Sequence, residues 1–289
     1  MTISFDQFAE RVTVTDGAWG TQLQLRGLPA GACPDVWNLE NPDAVETVAR
    51  SYVDAGSRVI LTNTFCSGPF SLSQHGLADR CAEIVEAGAA ISRRVAGDAV
   101  AVFGSIGPSG KIVMMGEVPP EELRNSFAVQ AGALARGGVD AILCETFTEL
   151  EEALLAVGAA RAATDLPVIA SMTFDSGPDK TATMMGTKPA DLAAAAAEAG
   201  AAAVGANCGA GPDHFGPLAA LFAEATDLPV WIKPNAGLPT LRDGRTVFPM
   251  GPEAFAAQAR PIVDAGASFI GGCCGTTPAH IAALCAALG

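Results

Sequence analysis

The sequence predicts an α/β fold, a single (β/α)8 TIM barrel running through residues 1–289. Three observations predict it. Eight short apolar runs alternate with longer helical patterns, the order expected when each strand is followed by a covering helix. The runs are continuous rather than alternating, as strands of a parallel sheet buried on both faces must be. No linker-like stretch interrupts the alternation, so the whole chain reads as one domain.

The runs are "VTVTDG" (12–17), "RVILTNTF" (58–65), "AVFGSIG" (101–107) and "DAILCETF" (140–147), then "PVIASMTF" (167–174), "AAVGANCG" (202–209), "PVWIKPN" (229–235) and "SFIGGCCG" (268–275). Between them, Asn41-Pro42 and Thr277-Pro278 place a capping residue before a helix-initiating proline. Pro120, Pro189 and Pro252 open three more helices on the same logic. Gly56, Gly138, Gly200 and Gly266 stand where helices should stop in a left-handed cap. "ADLAAAAAEAG" (190–200) reads as a plain helix. A doubly wound open sheet is the competing architecture, but its glycine-rich dinucleotide fingerprint is missing, and "GAGPDHFG" (209–216) does not fit it.

With 49% apolar and 17% charged residues, the chain has the composition of a large core rather than of a disordered segment. A net charge of −14 argues against nucleic acid and against an anionic membrane surface. The opening "MTISFDQFAERVTV" lacks the apolar core of a secretory leader, and no apolar run reaches the ~18 residues that span a bilayer. A cytoplasmic location is expected. The eight cysteines are then expected to be reduced, most of them packing as small hydrophobes. Met114-Met115 and Met184-Met185 are expected to fill gaps in the core or rim.

In such barrels the active site is built from the C-terminal ends of the strands. Asp16, Asn63, Glu145, Asn207, Cys208, Asn235 and the Cys273-Cys274 pair gather there. An isolated cysteine at a strand end is commonly a packing residue. Two adjacent cysteines among glycines, matched by a third on another strand, instead read as a zinc site with one tetrahedral position open. Gly271, Gly272 and Gly275 are expected to let the chain leave regular β geometry, so that both thiols face one ion. Asp16 follows the first strand in "TDGAWGTQLQ" (15–24), where exposed amides around Gly17 could hold a carboxylate. Asp16 and Glu145 together form an anionic clamp suited to the ammonium of a zwitterionic amino acid. Trp19 reads equally well as pocket lining and as packing. The three histidines form no metal-spaced pair.

"DGAWGT", "TNTF", "CETF", "GANCG" and "GGCCGTTP" resemble the homocysteine S-methyltransferase family in order and spacing, from about residue 12 to the end. "SIGPSGK", "MTFD" and "KPNAG" bring the likeness nearest to the homocysteine-binding module of cobalamin-dependent methionine synthases. The resemblance implies a zinc-bearing barrel with Cys208, Cys273 and Cys274 as ligands of Zn2+. It implies that Asp16 and Glu145 bind the homocysteine amino group and that amides from Gly17 through Ala18 to Trp19 bind its carboxylate. Asn63 and Asn207 join this substrate set. Methyl transfer to the homocysteine sulfur would give methionine, with the donor a separate methylcobalamin-carrying corrinoid protein, as in a split methionine synthase. After "TNTF" the chain departs from methionine-synthase-type members, reading Cys66-Ser67-Gly68-Pro69.

The alternatives are a small-donor methyltransferase using betaine or S-methylmethionine, a zinc-thiolate redox sensor and a metal-independent barrel lyase. Betaine needs an aromatic cage. The single tyrosine, Tyr52, lies in an expected helix, and Thr146 stands where betaine-using relatives place a tyrosine. Small residues (Ser67, Gly68, Ser109, Gly110, Gly209, Gly211) are expected to keep the mouth open to a bulky donor.

Overall fold

A computed structural model describes residues 5–8, 11–242 and 245–289. Residues 1–4, 9 and 10 of the opening stretch, on which the reading of no leader partly rests, lie outside the described residues. Eight parallel strands form one sheet: Thr13–Val14, Val59–Leu61, Ala101–Ile106, Ala141–Phe147, Val168–Met172, Ala203–Cys208, Val230–Pro234 and Ala267–Ile270. They are called the first to eighth strands below. Each pairs with its sequence neighbour, from second to third through to seventh and eighth, and the first pairs with the eighth. A parallel bridge between Thr15 and Val59 joins first to second and closes the barrel.

Two apolar cores follow from the period-2 alternation of side chains. Inward residues, among them Val59, Phe103, Leu143, Ile169, Trp231 and Phe269, fill the barrel. Trp231 packs its ring 5.2 Å from that of Phe269 and 5.8 Å from that of Phe103. Phe8 and Phe5 plug the N-terminal end against Phe103 and Phe269. Outward residues such as Ile60, Val102, Ile142 and Val204 pack against the surrounding helices.

All five expected proline starts open helices: Pro42–Asp54, Pro120–Arg136, Pro189–Glu198, Pro252–Ala256 and Pro278–Leu288. Thr277 shares a hydrogen bond of 2.9 Å with His280 at the last of these, whereas the Asn41 side chain makes no cap bond. The four expected stop glycines all carry positive φ.

The chain leaves regular β geometry where expected, since the last strand ends at Ile270 and the cysteine pair lies in the loop beyond it. Two features differ from expectation. The methionine pairs fill no gap. Met114, Met115 and Met184 are about 70% exposed and Met185 is 39% exposed, since they sit in long loops after the third and fifth strands. A short antiparallel hairpin, Thr240–Arg242 with Arg245–Val247, follows the seventh strand and was not expected. Among the described residues no helix is long and apolar enough to cross a membrane.

Candidate functional site

The inward face of each long strand changes character near its C-terminal end. Two residues past inward Phe103, Leu143, Ile169 and Trp231 come Ser105, Glu145, Ser171 and Lys233, on the same face by the two-residue period. This polar layer sits on the apolar plug and under a cavity of about 360 Å³ at the mouth. Cys208, Cys273, Cys274, Glu145 and Lys233 all line that cavity.

The three thiol sulfurs lie within 4.8 Å of one another. A tetrahedral zinc with bonds of about 2.3 Å would hold its sulfurs about 3.8 Å apart, so the cluster stands close to the spacing the metal needs. Cys208 reaches the cluster through left-handed backbone at φ 64°, followed by Gly209 at 61°. Left-handed geometry at a non-glycine residue is strained, and the surrounding structure must hold it. Here the Asn235 amide does so, donating to the Gly209 carbonyl at 2.9 Å.

The cysteine loop is held from three sides. Cys273 N–H donates to the Pro234 carbonyl at 2.7 Å, Cys274 O accepts from Ala236 at 2.9 Å, and Thr276 Oγ1 donates to the Cys273 carbonyl at 2.7 Å. The glycines act differently from expectation. Gly271 and Gly272 are required by close packing, since a Cβ there would stand 2.0 Å from Thr15 Oγ1 and 2.4 Å from Thr276 Oγ1. Only Gly275, at φ 80°, supplies left-handed freedom within this loop. Contacts with Cys273 and Cys274 push Cys208 below the usual thiol value, while the contact with Cys208 pushes both others up.

Asp16 is fully buried and already engaged. Its Oδ1 accepts from the Lys233 ammonium, and its Oδ2 accepts from Trp19 Nε1 and from the Leu61 amide, each at 2.7 Å. Glu145 faces the cavity and accepts from Ser105 Oγ at 2.6 Å. Burial raises its pKa, and the nearby Lys233 charge opposes the rise. Asn207 lies behind it. Its Oδ1 accepts from the Thr146 amide (2.9 Å) and Ser171 Oγ (2.7 Å), and its amide donates to Thr146 Oγ1 at 2.6 Å. These bonds hold Thr146 in left-handed geometry at φ 68° and so aim the end of the fourth strand.

Of the expected substrate residues, Gly17, Ala18, Trp19, Asn63 and Glu145 line the cavity, whereas Asp16 and Asn207 stand behind its wall. The Ala18 amide donates to Thr276 Oγ1 at 3.1 Å, and the Asn63 amide donates to the Pro34 carbonyl at 2.9 Å. Tyr52 donates to the Ala18 carbonyl at 2.6 Å from inside its helix, away from the mouth. Of the six small residues expected at the rim, Ser67, Gly68, Ser109 and Gly211 are buried, whereas Gly110 is exposed and Gly209 half-buried. Exposed apolar side chains also occur in the loops after the third, fifth and seventh strands, including Ile112, Met114, Met184 and Leu238.

Sequence reasoning missed Lys233, Thr276 and Asp35. Lys233 carried a readable signal, because it follows an inward tryptophan by two residues. Asp35 lines the cavity and accepts from the Cys66 amide (2.6 Å) and Ser67 Oγ (2.7 Å).

Comparison with known proteins agrees with this geometry. A family model described as homocysteine S-methyltransferase matches residues 13–288. The chain is 36% identical to the methionine synthase of Mycobacterium tuberculosis over 98% of its own length, but spans only 25% of that protein. It is 31% identical to betaine–homocysteine S-methyltransferase 1 of Mus musculus, covering 96% of this chain and 72% of the relative. Its fold matches the metallated form of the homocysteine methyltransferase MmuM of Escherichia coli with a TM-score of 0.80 and 24% identity, over 95% of this chain and 96% of the other.

Proposed function

Since the chain belongs to the homocysteine S-methyltransferase family, we propose that it methylates homocysteine to methionine at a zinc site. The methyl group would come from a methylcobalamin-carrying corrinoid protein. The observation that carries this reading is the three-thiol cluster of Cys208, Cys273 and Cys274, which opens on the same cavity as Glu145. The donor set fits zinc, being three soft sulfurs with one tetrahedral position left for a fourth. Bound there, zinc would turn an entering thiol into a thiolate at neutral pH.

The chain's own residues supply the rest. Glu145 offers the ammonium of the amino acid a buried, charge-assisted partner. Asn207 fixes the strand end that carries Glu145, and the apolar plug below closes the floor to water. Holding the sulfur at a set point above the cysteines converts an encounter with the donor into an oriented one. In that step the sulfur forms its bond to the methyl carbon as the donor's bond breaks, and the electron pair leaves with the donor. The exposed apolar loops at the mouth support a protein donor, because such side chains suit docking. The identity to mycobacterial methionine synthase supports the same choice.

A small donor is the second reading, favoured by the identity to a betaine-using relative. Against it, Tyr52 is buried behind the Ala18 loop and Thr146 offers no ring. A donor panel with homocysteine separates the two. We expect slow methionine formation with free methylcobalamin and none with betaine or S-methylmethionine. Robust turnover with either small donor, and none with methylcobalamin, would overturn the donor while leaving the acceptor half standing.

A further inference from the structure

We infer that the N-terminal end of the barrel carries a ligand site of its own, which takes a small phosphate monoester on Arg11 and Arg58. The inference is independent of the methyl-transfer reading, because this end of the barrel lies opposite the mouth.

A cavity of about 350 Å³ opens there, where the first four strands begin. It matches the mouth cavity of about 360 Å³ in size and lies within the range of small-molecule pockets. Among the described residues, its charged lining is Arg11, Arg58, Arg93, Asp98 and Asp140. One pair is already spent. Arg93 Nη1 donates to both Asp140 oxygens, at 3.2 and 3.0 Å, and its Nη2 donates to the Val100 carbonyl at 2.7 Å. Asp140 also accepts from the Val102 amide at 2.7 Å. This pair ties the helix Cys81–Ala96 to the starts of the third and fourth strands and adds no net charge to the cavity.

Arg11, Arg58 and Asp98 remain, and all three are exposed. Among the described residues neither of these arginine side chains has a hydrogen-bond or ion-pair partner. The wall therefore keeps two free cations against one anion, in a chain whose net charge is −14. Each guanidinium is a planar fork of N–H donors that fits two oxygens. A carboxylate fills one such fork, whereas a phosphate monoester has three free oxygens and can meet both. Phe8, Val12 and Val100 line the rest of the cavity, so a small organic body fits beside the anion.

The test is calorimetric titration, at about 0.15 M ionic strength, with ribose 5-phosphate, ribose and inorganic phosphate. The variants are Asp98→Asn and the double variant Arg11→Gln with Arg58→Gln. All three positions are exposed, and a thermal melt checks that each variant folds. The parent is expected to bind ribose 5-phosphate more tightly than inorganic phosphate and not to bind ribose. The double variant should lose about 10- to 100-fold in affinity for ribose 5-phosphate, the range of a lost charge-assisted bond. Asp98→Asn should bind it about two- to fivefold more tightly, because an exposed repelling charge is gone. A parent that does not bind ribose 5-phosphate, or a double variant that binds it as tightly as the parent, overturns the inference. So does inorganic phosphate that binds as tightly as the ester, which would mean an adventitious ion only.

Discussion

Thr276→Val probes the joint between the two halves of the site. Thr276 is 0% exposed, and its hydroxyl accepts from the Ala18 amide at 3.1 Å and donates to the Cys273 carbonyl at 2.7 Å. Valine keeps the shape and removes both bonds. The Ala18 amide is then left buried without a partner, at about 1–3 kcal/mol, whereas the Cys273 carbonyl keeps the backbone amide of residue 276 at 3.2 Å. The methyl group adds crowding, because it cannot stay 2.7 Å from a carbonyl oxygen. Nor can it retreat easily, since Gly17 and Gly272 already press on this hydroxyl so closely that a Cβ on either would stand under 3.0 Å from it. A loss of about 3 kcal/mol is therefore expected, and at about 2–4 °C per kcal/mol the unfolding midpoint should fall by about 6–12 °C. The assay is thermal unfolding followed by circular dichroism at fixed pH and zinc. Thr276→Ser, which keeps the hydroxyl, should lose under about 1 kcal/mol. A valine variant that unfolds within 1 °C of the parent would refute the account of this joint.

Three further outcomes are expected. The purified protein should hold about one zinc per chain, and alanine at Cys208, Cys273 or Cys274 should strip it. Alanine at Cys81 or Cys285 should not, and full occupancy in the Cys273→Ala, Cys274→Ala double variant would end the metal assignment. Burial lifts Asp35 from 3.8 to about 6, partly opposed by bonds from Ser67 and Cys66. A folded pKa above the unfolded one gives stability that is full below about pH 4 and lost as pH rises through about 6, worth roughly 3 kcal/mol. Asp35→Asn cannot ionise, so its stability relative to the parent should rise across that window. A relative stability that does not change with pH would count against a buried, ionising Asp35. Gly275→Ala places a Cβ at φ 80°, 2.1 Å from the Phe248 ring, and should cost more than about 1 kcal/mol in the same melt, where an unchanged midpoint would be a contradiction.

The strands, the proline-led helix starts and the three cysteines were legible because each depends on residues near one another in the chain. A continuous apolar run buries itself on both faces wherever the sheet closes, and a proline opens a helix whatever lies beyond it. The Asp243-Gly244 dipeptide between the two hairpin strands was a local turn signal of the same kind, left unread. Glu145 was legible as a cavity residue because a carboxylate at a strand end has few other uses.

What tertiary structure decided is which charge meets which. Asp16 and Lys233 lie 217 residues apart, and Ala18 and Thr276 lie 258 apart. Closure of the barrel brings the first strand against the eighth and the seventh beside it, and a register slip of one residue would turn Lys233 outward. By itself the sequence determined that two carboxylates and three thiols end at one rim. The closed ring of strands then assigned Asp16 to a lysine and left Glu145 facing the cavity, because register between distant strands is set by packing that no local pattern records.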